Sequence, residues 1–436
     1  MTRGRSLAVA IVAALALAAC GEATKPPLPG ERVAVLTASG QLRPDPAVAG
    51  TPPAIPAPAG FAEWPQPGGS ADHEGGNAPL AADPRIAWRA SAGTGSSGAR
   101  LLLAQPVVAA GRAFVVDSDY DVAAFDAQTG RRVWTASAAS RTESDDVRGG
   151  GIAFADGRVF VSTGYAEIVA LDAANGREVW RTKIRGPARS APTIAGGRVH
   201  VVTLDNILVA VSAANGEARW DVPGLRETAG LVGGAAPAAD ATTVIAPYSS
   251  GDIIAIRGES GRQIWNDSLA GVRRGTAVSA LADIMGLPVL SRGLVVAVSH
   301  GGRMVAIDAR TGNRAWEQDF GGVDTPWVVG DEIFVLSSTP EVVALTRRQG
   351  QIRWIAPLAR FERPDRRENP IDWTGPVLAG GRLWLANTRN ELVGLDPANG
   401  SVAARVPLPG PVRISPVVAG GTMYVLTDGG ELVALR

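Results

Sequence analysis

The sequence predicts an all-β fold, an eight-bladed β-propeller of four-stranded antiparallel blades. Three observations predict it. First, a motif recurs with fixed internal length. Trp134, Trp180, Trp220, Trp265, Trp316 and Trp354 each follow a glycine by four residues, and a seventh copy has Gly400 with Ala404 in the Trp position. Upstream, Pro106, Pro192, Pro237, Pro288, Pro326 and Pro376 each precede that glycine by 24 residues, with Ile152 in this place in the second copy. Second, each unit reads as four short strands. In the third copy these are 191–195, 198–204, 207–213 and 217–222, separated by Gly-Gly and Asn-Gly turn signals. The middle strands are nearly continuous apolar runs, as expected of strands covered on both faces. Third, the ends are complementary. An eighth unit begins at Pro416 and stops at Arg436 without a fourth strand, while a spare strand around Arg85–Trp88 precedes the first unit. That N-terminal strand completing the C-terminal blade closes the ring and leaves only short edges.

Ahead of the repeats lie two further segments. Arg3 and Arg5 precede an apolar run from Leu7 to Ala19, which has the length of a signal-peptide core and is short for a bilayer span. The run ends in Leu17-Ala18-Ala19-Cys20, which resembles a bacterial lipobox. The resemblance implies removal of residues 1–19 and lipidation of Cys20. Gly21 stands where an inner-membrane retention signal would carry Asp, so the expected location is the outer membrane, on its periplasmic face. Residues 20–60 are rich in Pro and Ala and are expected to be a tether. The propeller is assigned to residues 61–436.

Composition narrows the function. Forty-two basic residues balance forty-two acidic ones, which speaks against a generally cationic nucleic-acid binder. One cysteine excludes an internal disulfide and a cysteine-rich zinc site, and three scattered histidines offer no metal centre. Asp126, Asp172, Asp308 and Asp396 stand four residues before the repeat glycines. Each belongs to a different blade, so they read as turn-capping residues rather than as a metal or catalytic set. Trp88 and the six repeat tryptophans are expected to pack on neighbouring blades. No cofactor, metal or catalytic residue is expected.

The pattern Ala-x-Asp-x-x-x-Gly-x-x-x-Trp, as in Ala170–Trp180 and Ala306–Trp316, resembles the tryptophan-docking repeat of PQQ-type propellers. With the lipobox, the Pro-rich tether and a single eight-bladed domain, the chain resembles the BamB-type lipoproteins of the outer-membrane barrel assembly machinery. The resemblance implies a non-enzymatic scaffold that binds the POTRA region of the central barrel subunit and acts beside other lipoproteins of that machinery. Unfolded outer-membrane proteins are further potential partners, and the lipid anchor supplies the membrane contact.

It also implies a site. After Trp220 comes Pro223-Gly224-Leu225-Arg226-Glu227, similar to a Leu-x-Leu-Arg loop that contacts the POTRA segment; Leu225 and Arg226 match, and Pro223 replaces the first Leu. After Trp265 comes Leu281-Ala282-Asp283-Ile284-Met285, similar to Leu-Ser-Asp-x-Asp; Leu281 and Asp283 match, and Met285 replaces the second Asp. Leu225, Arg226 and Asp283 are therefore the expected partner-binding residues. Three alternatives stay open: Asp283 pairs with Arg226 and merely orders the site, the chain is a quinoprotein dehydrogenase, or it is a propeller that binds a ligand or an envelope component. The charged stretch Arg360–Glu368 reads as a solvated face.

Overall fold

The computed structural model describes residues 42–98, 100–143, 147–270 and 281–436. Residues 1–19 and Cys20 lie outside the described residues. Every described regular element is a strand, and the strands form eight four-stranded antiparallel blades in a ring. In numbers, blades 1 to 7 span 107–137, 150–183, 193–223, 238–268, 289–318, 327–357 and 373–407. Blade 8 combines 417–435 with the N-terminal strand Ile86–Ser91, which pairs antiparallel with Glu431–Leu435. Arg85 and Arg436 exchange backbone hydrogen bonds of 2.7 and 2.9 Å at the seam. The expected closure is the observed one.

The repeat motif is explained by contacts between blades. Its Ala lies directly across the third and fourth strands from the Trp, as in Ala170↔Trp180 and Ala306↔Trp316. The residue before each Trp is the extra residue of a β-bulge, which re-aims the indole toward the next blade. There the indole lies against the next repeat glycine. Trp88 meets Gly130, Trp134 meets Gly176, and the series continues to Trp354 against Gly400. These glycines have φ between 66° and 77°, and an added Cβ would come within 2.5–2.9 Å of the indole. Glycine is thus required twice, by conformation and by close approach. The indole N–H of each of the six repeat tryptophans also donates across the blade boundary, for example Trp180 Nε1 to Ala213 O at 3.2 Å and Trp265 Nε1 to Ala309 O at 2.7 Å.

Ala404 breaks the series for a clear reason. Its neighbour is blade 8, whose third and fourth strands, Glu431–Leu435 and Ile86–Ser91, come from distant parts of the chain and are joined by no turn that would carry the receiving glycine. Trp88 is the other variation. The acceptor its N–H would use, Ala127 O, is taken by Tyr424 Oη at 3.2 Å and by Arg436 Nη2 at 3.0 Å. The turn aspartates do what their spacing predicts. Asp126 Oδ1 accepts from Gln128 N, Thr129 N and Thr129 Oγ1, and Asp308 repeats the arrangement. The threonine hydroxyl bond holds both carboxyls below their ordinary pKa.

Residues 61–80 form a plug that sequence reading did not anticipate. They touch the innermost strand, or the turn after it, in all eight blades. Trp64 exchanges backbone bonds with Val108 in blade 1, and Pro65 O accepts from Phe154 N in blade 2. Gln66 bonds Ile194 in blade 3 through both amide atoms. Ala71, Asp72 and Ala78 bond Ala239, Leu290 and Leu378 of blades 4, 5 and 7, and Phe61 O accepts from Gly420 N of blade 8. Blade 6 contributes Trp327, whose Nε1 donates to Gly76 O and whose ring stacks on Trp64 at 6.0 Å. His73 is buried in this plug, where its Nδ1–H donates to Pro288 O at 2.8 Å. Burial pushes His73, and likewise His200, down to about 4.

The described end of the Pro-rich segment is also bonded to the ring. Asp45 N donates to Ile352 O, Arg353 Nη1 to Thr51 O, and Asn77 Nδ2 to Pro56 O. Leu42 packs on the buried cluster of blades 5 and 6, and Ile55 on the one that joins blades 6, 7, 8 and 1. Proline pre-sets an extended backbone at low entropic cost, so such a strip can lie along a surface without a core of its own.

Candidate functional site

In this topology the turns between second and third strands share one face with the connections between blades. The plug enters from the opposite side, against the turns after the first strands. The sequence-predicted loops therefore lie on the open face.

The connection from blade 3 to blade 4 leaves the strand Ala218–Pro223 and immediately displays Leu225, which is 67% exposed. Its mount is rigid. Asn206, fully buried in the turn of blade 3, donates from Nδ2 to Leu225 O at 2.6 Å, and its own carbonyl accepts from Gly224 N at 2.7 Å. Asn206 Oδ1 also accepts from Ser249 N and Oγ of blade 4 at 3.1 and 3.0 Å. Gly224 lies against the Tyr248 ring, where an added Cβ would come to 3.0 Å. Arg226 extends into solvent and pairs with Asp205 at 3.2 Å. Leu204, 48% exposed in the same turn as Asp205, adds a second apolar side chain. Asn206 and Leu204 were missed in the sequence. The only signal was Asp205-Asn206 between two apolar runs, and Asn206 tolerates the left-handed φ of 56° that the turn requires.

Asp283 is placed differently from Leu225 and Arg226. It is fully enclosed and forms an ion pair with Arg189, itself 4% exposed. Its second oxygen accepts from Leu231 N at 3.3 Å, and its carbonyl accepts from His300 N at 2.8 Å. The carboxylate thus ties together the connections entering blades 3, 4 and 5 and offers no surface to a partner. An intramolecular pair with Arg226 is not formed; Arg189 fills that role. Gly234 packs against the Arg189 guanidinium, where any side chain would collide. Met285 places its sulfur 3.4 Å from Arg189 Nη2.

The charged stretch forms a small hairpin, Phe361–Arg363 with Glu368–Pro370. Its contacts include Arg363–Glu368 at 3.1 Å and Asn369 Nδ2 to Glu362 at 3.0 Å, both internal. Among the described residues, no three His, Cys, Asp or Glu side chains gather where they could hold a metal ion, and no helix is long and apolar enough to cross a membrane.

The family model for outer membrane protein assembly factor BamB matches residues 78–148, 137–356 and 360–436. The chain belongs to the BamB family. It is 32% identical over 350 residues to outer membrane protein assembly factor BamB of Alkalilimnicola ehrlichii, covering 80% of this chain and 87% of that one. It is 26% identical over 357 residues to the Escherichia coli BamB, covering 81% and 88%. Among solved structures, BamB from Moraxella catarrhalis superposes with a TM-score of 0.68 at 18% identity, covering 81% of this chain and 99% of that one. The quinohemoprotein alcohol dehydrogenase of Comamonas testosteroni gives 0.65 at 15% identity, covering 86% and 80%. Both structural likenesses carry the fold, and the sequence matches carry the family.

Proposed function

We propose that this chain is a non-enzymatic scaffold of the outer-membrane protein assembly machinery, anchored through a lipid on Cys20 to the periplasmic face of the outer membrane. Its loop at Leu225 and Arg226 docks on the POTRA region of the barrel subunit. The observation that carries this reading is the mount of Leu225. A large apolar side chain stands two-thirds exposed on a loop fixed by a buried asparagine, beside an arginine held only by an exposed aspartate. An apolar anchor with a neighbouring forked donor is the composition of an interface hot spot. Asp283 acts behind the contact, through Arg189, by keeping three inter-blade connections in register.

Filling of the ring by residues 61–80 supports a scaffold role, because the plug holds the eight innermost strands to one another. The experiment is a membrane pull-down of the tagged, lipidated protein with mass spectrometry of its companions. The expected result is recovery of a POTRA-containing barrel subunit, reduced by Arg226→Ala at unchanged protein level. Equal recovery with Arg226→Ala would reject the loop assignment. Recovery without that subunit would reject the scaffold reading, and a quinone absorbance spectrum of the purified protein would reject the non-enzymatic one.

A further inference from the structure

The plug closes one end of the ring and leaves a blind recess at the other. The recess has a volume of about 360 Å³ and is bounded by Pro67 of the plug and by the inter-blade connections. A second recess of about 410 Å³ adjoins it, and the two share Met285, Val323, Asp324, Thr374 and Arg413. Both volumes fall in the range of ligand-binding pockets, ~300–1,000 Å³. Apolar side chains mark the lip: Val232 is 45% and Val323 41% exposed. Trp373 lines the second recess, with its N–H spent on Ala359 O.

The charges are unbalanced. Arg189 is engaged by Asp283, and Arg413 is held between Asp372 and Asp428. Asp324, which lines both recesses, makes no ion pair among the described residues. Its Oδ1 accepts from Thr374 Oγ1 at 2.7 Å and from Gly375 N at 3.1 Å. The linings thus hold three aspartates, Asp324, Asp372 and Asp428, against two arginines, both already engaged, and the carboxylate common to the two recesses has no cation. Burial without a counter-charge raises the Asp324 carboxyl to about 6. A desolvated carboxylate in this state gains most from a ligand that brings the missing positive charge.

We infer that the joined recesses form a peptide-binding site for an extended partner segment whose arginine or lysine side chain seats against Asp324, with flanking apolar residues on Val232 and Val323. Trp373 provides an aromatic wall against which a guanidinium or ammonium group is favourable. The site shares the connection from blade 3 to blade 4 with the Leu225 loop through Val232, but its charged centre, Asp324, stands on the connection entering blade 6, so it does not rest on the Leu225 assignment.

The test is fluorescence anisotropy of the full chain with a labelled nine-residue peptide, a central arginine flanked by valines, against the same peptide with glutamine at the centre. The glutamine peptide is expected to bind at least ~30-fold more weakly, the loss usual when one member of a desolvated charge pair is removed. Asp324→Asn is expected to abolish the difference while leaving the fold intact, since the amide oxygen still accepts from Thr374. Asp324→Lys with a central-glutamate peptide is expected to restore binding. Arg226→Ala is expected to leave the arginine peptide's affinity unchanged, which separates this site from the proposed POTRA contact. Equal affinity for the arginine and glutamine peptides, insensitivity to Asp324→Asn, or no binding of the arginine peptide at millimolar concentration would each overturn the inference.

Discussion

Asp283→Ala separates an ordering role from a surface contact. The substitution leaves Arg189, 4% exposed, with no carboxylate partner inside the ring. It also removes the acceptor of Leu231 N. Breaking a buried pair by removing one partner costs ~3–5 kcal/mol, because the remaining charge stays desolvated. The effect spreads through three inter-blade connections, so the site at Leu225 is expected to loosen together with the fold. Urea unfolding followed by tryptophan fluorescence reads the cost, since the repeat tryptophans lie at the blade boundaries. The paired substitution Arg189→Met/Asp283→Leu removes both charges and is expected to recover most of the loss. By contrast Arg226→Ala, whose partner Asp205 is exposed, is expected to stay within about 1 kcal/mol of the parent. An Asp283→Ala protein as stable as the parent would refute the ordering role and return Asp283 to the surface-contact reading.

Other predictions follow from the same contacts. Trp180→Ala is expected to cost ~3–5 kcal/mol in urea unfolding, as for a large core truncation, because the indole fills the boundary over Gly216 and bonds Ala213. Ala404→Trp is expected to give no gain in melting temperature, because blade 8 has no turn glycine to receive the ring. Gly75→Ala would bring a methyl group to 2.7 Å from Trp327 and 2.8 Å from Val328 O, so a lower melting temperature and faster proteolysis of the plug are expected. His73 and His200, buried and held near 4, stay neutral in the folded chain while their unfolded counterparts protonate below about 6.5. Stability is therefore expected to fall by about 1.4 kcal/mol per pH unit per histidine between 6.5 and 4. Asp324, raised to about 6, works in the opposite sense over that interval, and Asp324→Asn should raise the melting temperature at pH 7. Urea titrations of the parent and of His200→Asn at pH 7 and pH 5 check the sign: the parent should lose more on acidification.

The ring was legible because its determinants are local and periodic. A fixed spacing of Pro, Gly and Trp positions runs through seven copies, broken by Ile152 in one Pro place and Ala404 in one Trp place, and the missing last strand is matched by a spare first one. The Ala404 exception is intelligible only from the pairing in blade 8, whose last two strands are distant in sequence and share no turn. The plug was not legible. Residues 61–80 carry no strand period, and their polar groups are satisfied by eight different blades that only the closed ring brings together. The loops at Leu225 and Asp283 look alike in sequence, each an acidic or basic residue among small and apolar ones. Their difference comes from Arg189, far away in the chain and charged in a stretch with no motif, which draws Asp283 inside and leaves Arg226 outside. Asp324 was equally silent, since an aspartate with no cation is recognised only once its surroundings are known.

The central claim is that the Leu225 loop, on its asparagine mount, is the docking surface for the POTRA region. The most direct measurement is titration calorimetry of the propeller with the POTRA-containing periplasmic part of the barrel subunit, comparing the parent with Leu225→Ser and Arg226→Glu. The account predicts that each substitution weakens binding by at least tenfold, the scale of about 1.4 kcal/mol or more that marks a hot-spot residue, with no change in melting temperature. Unchanged affinity in both variants would contradict it.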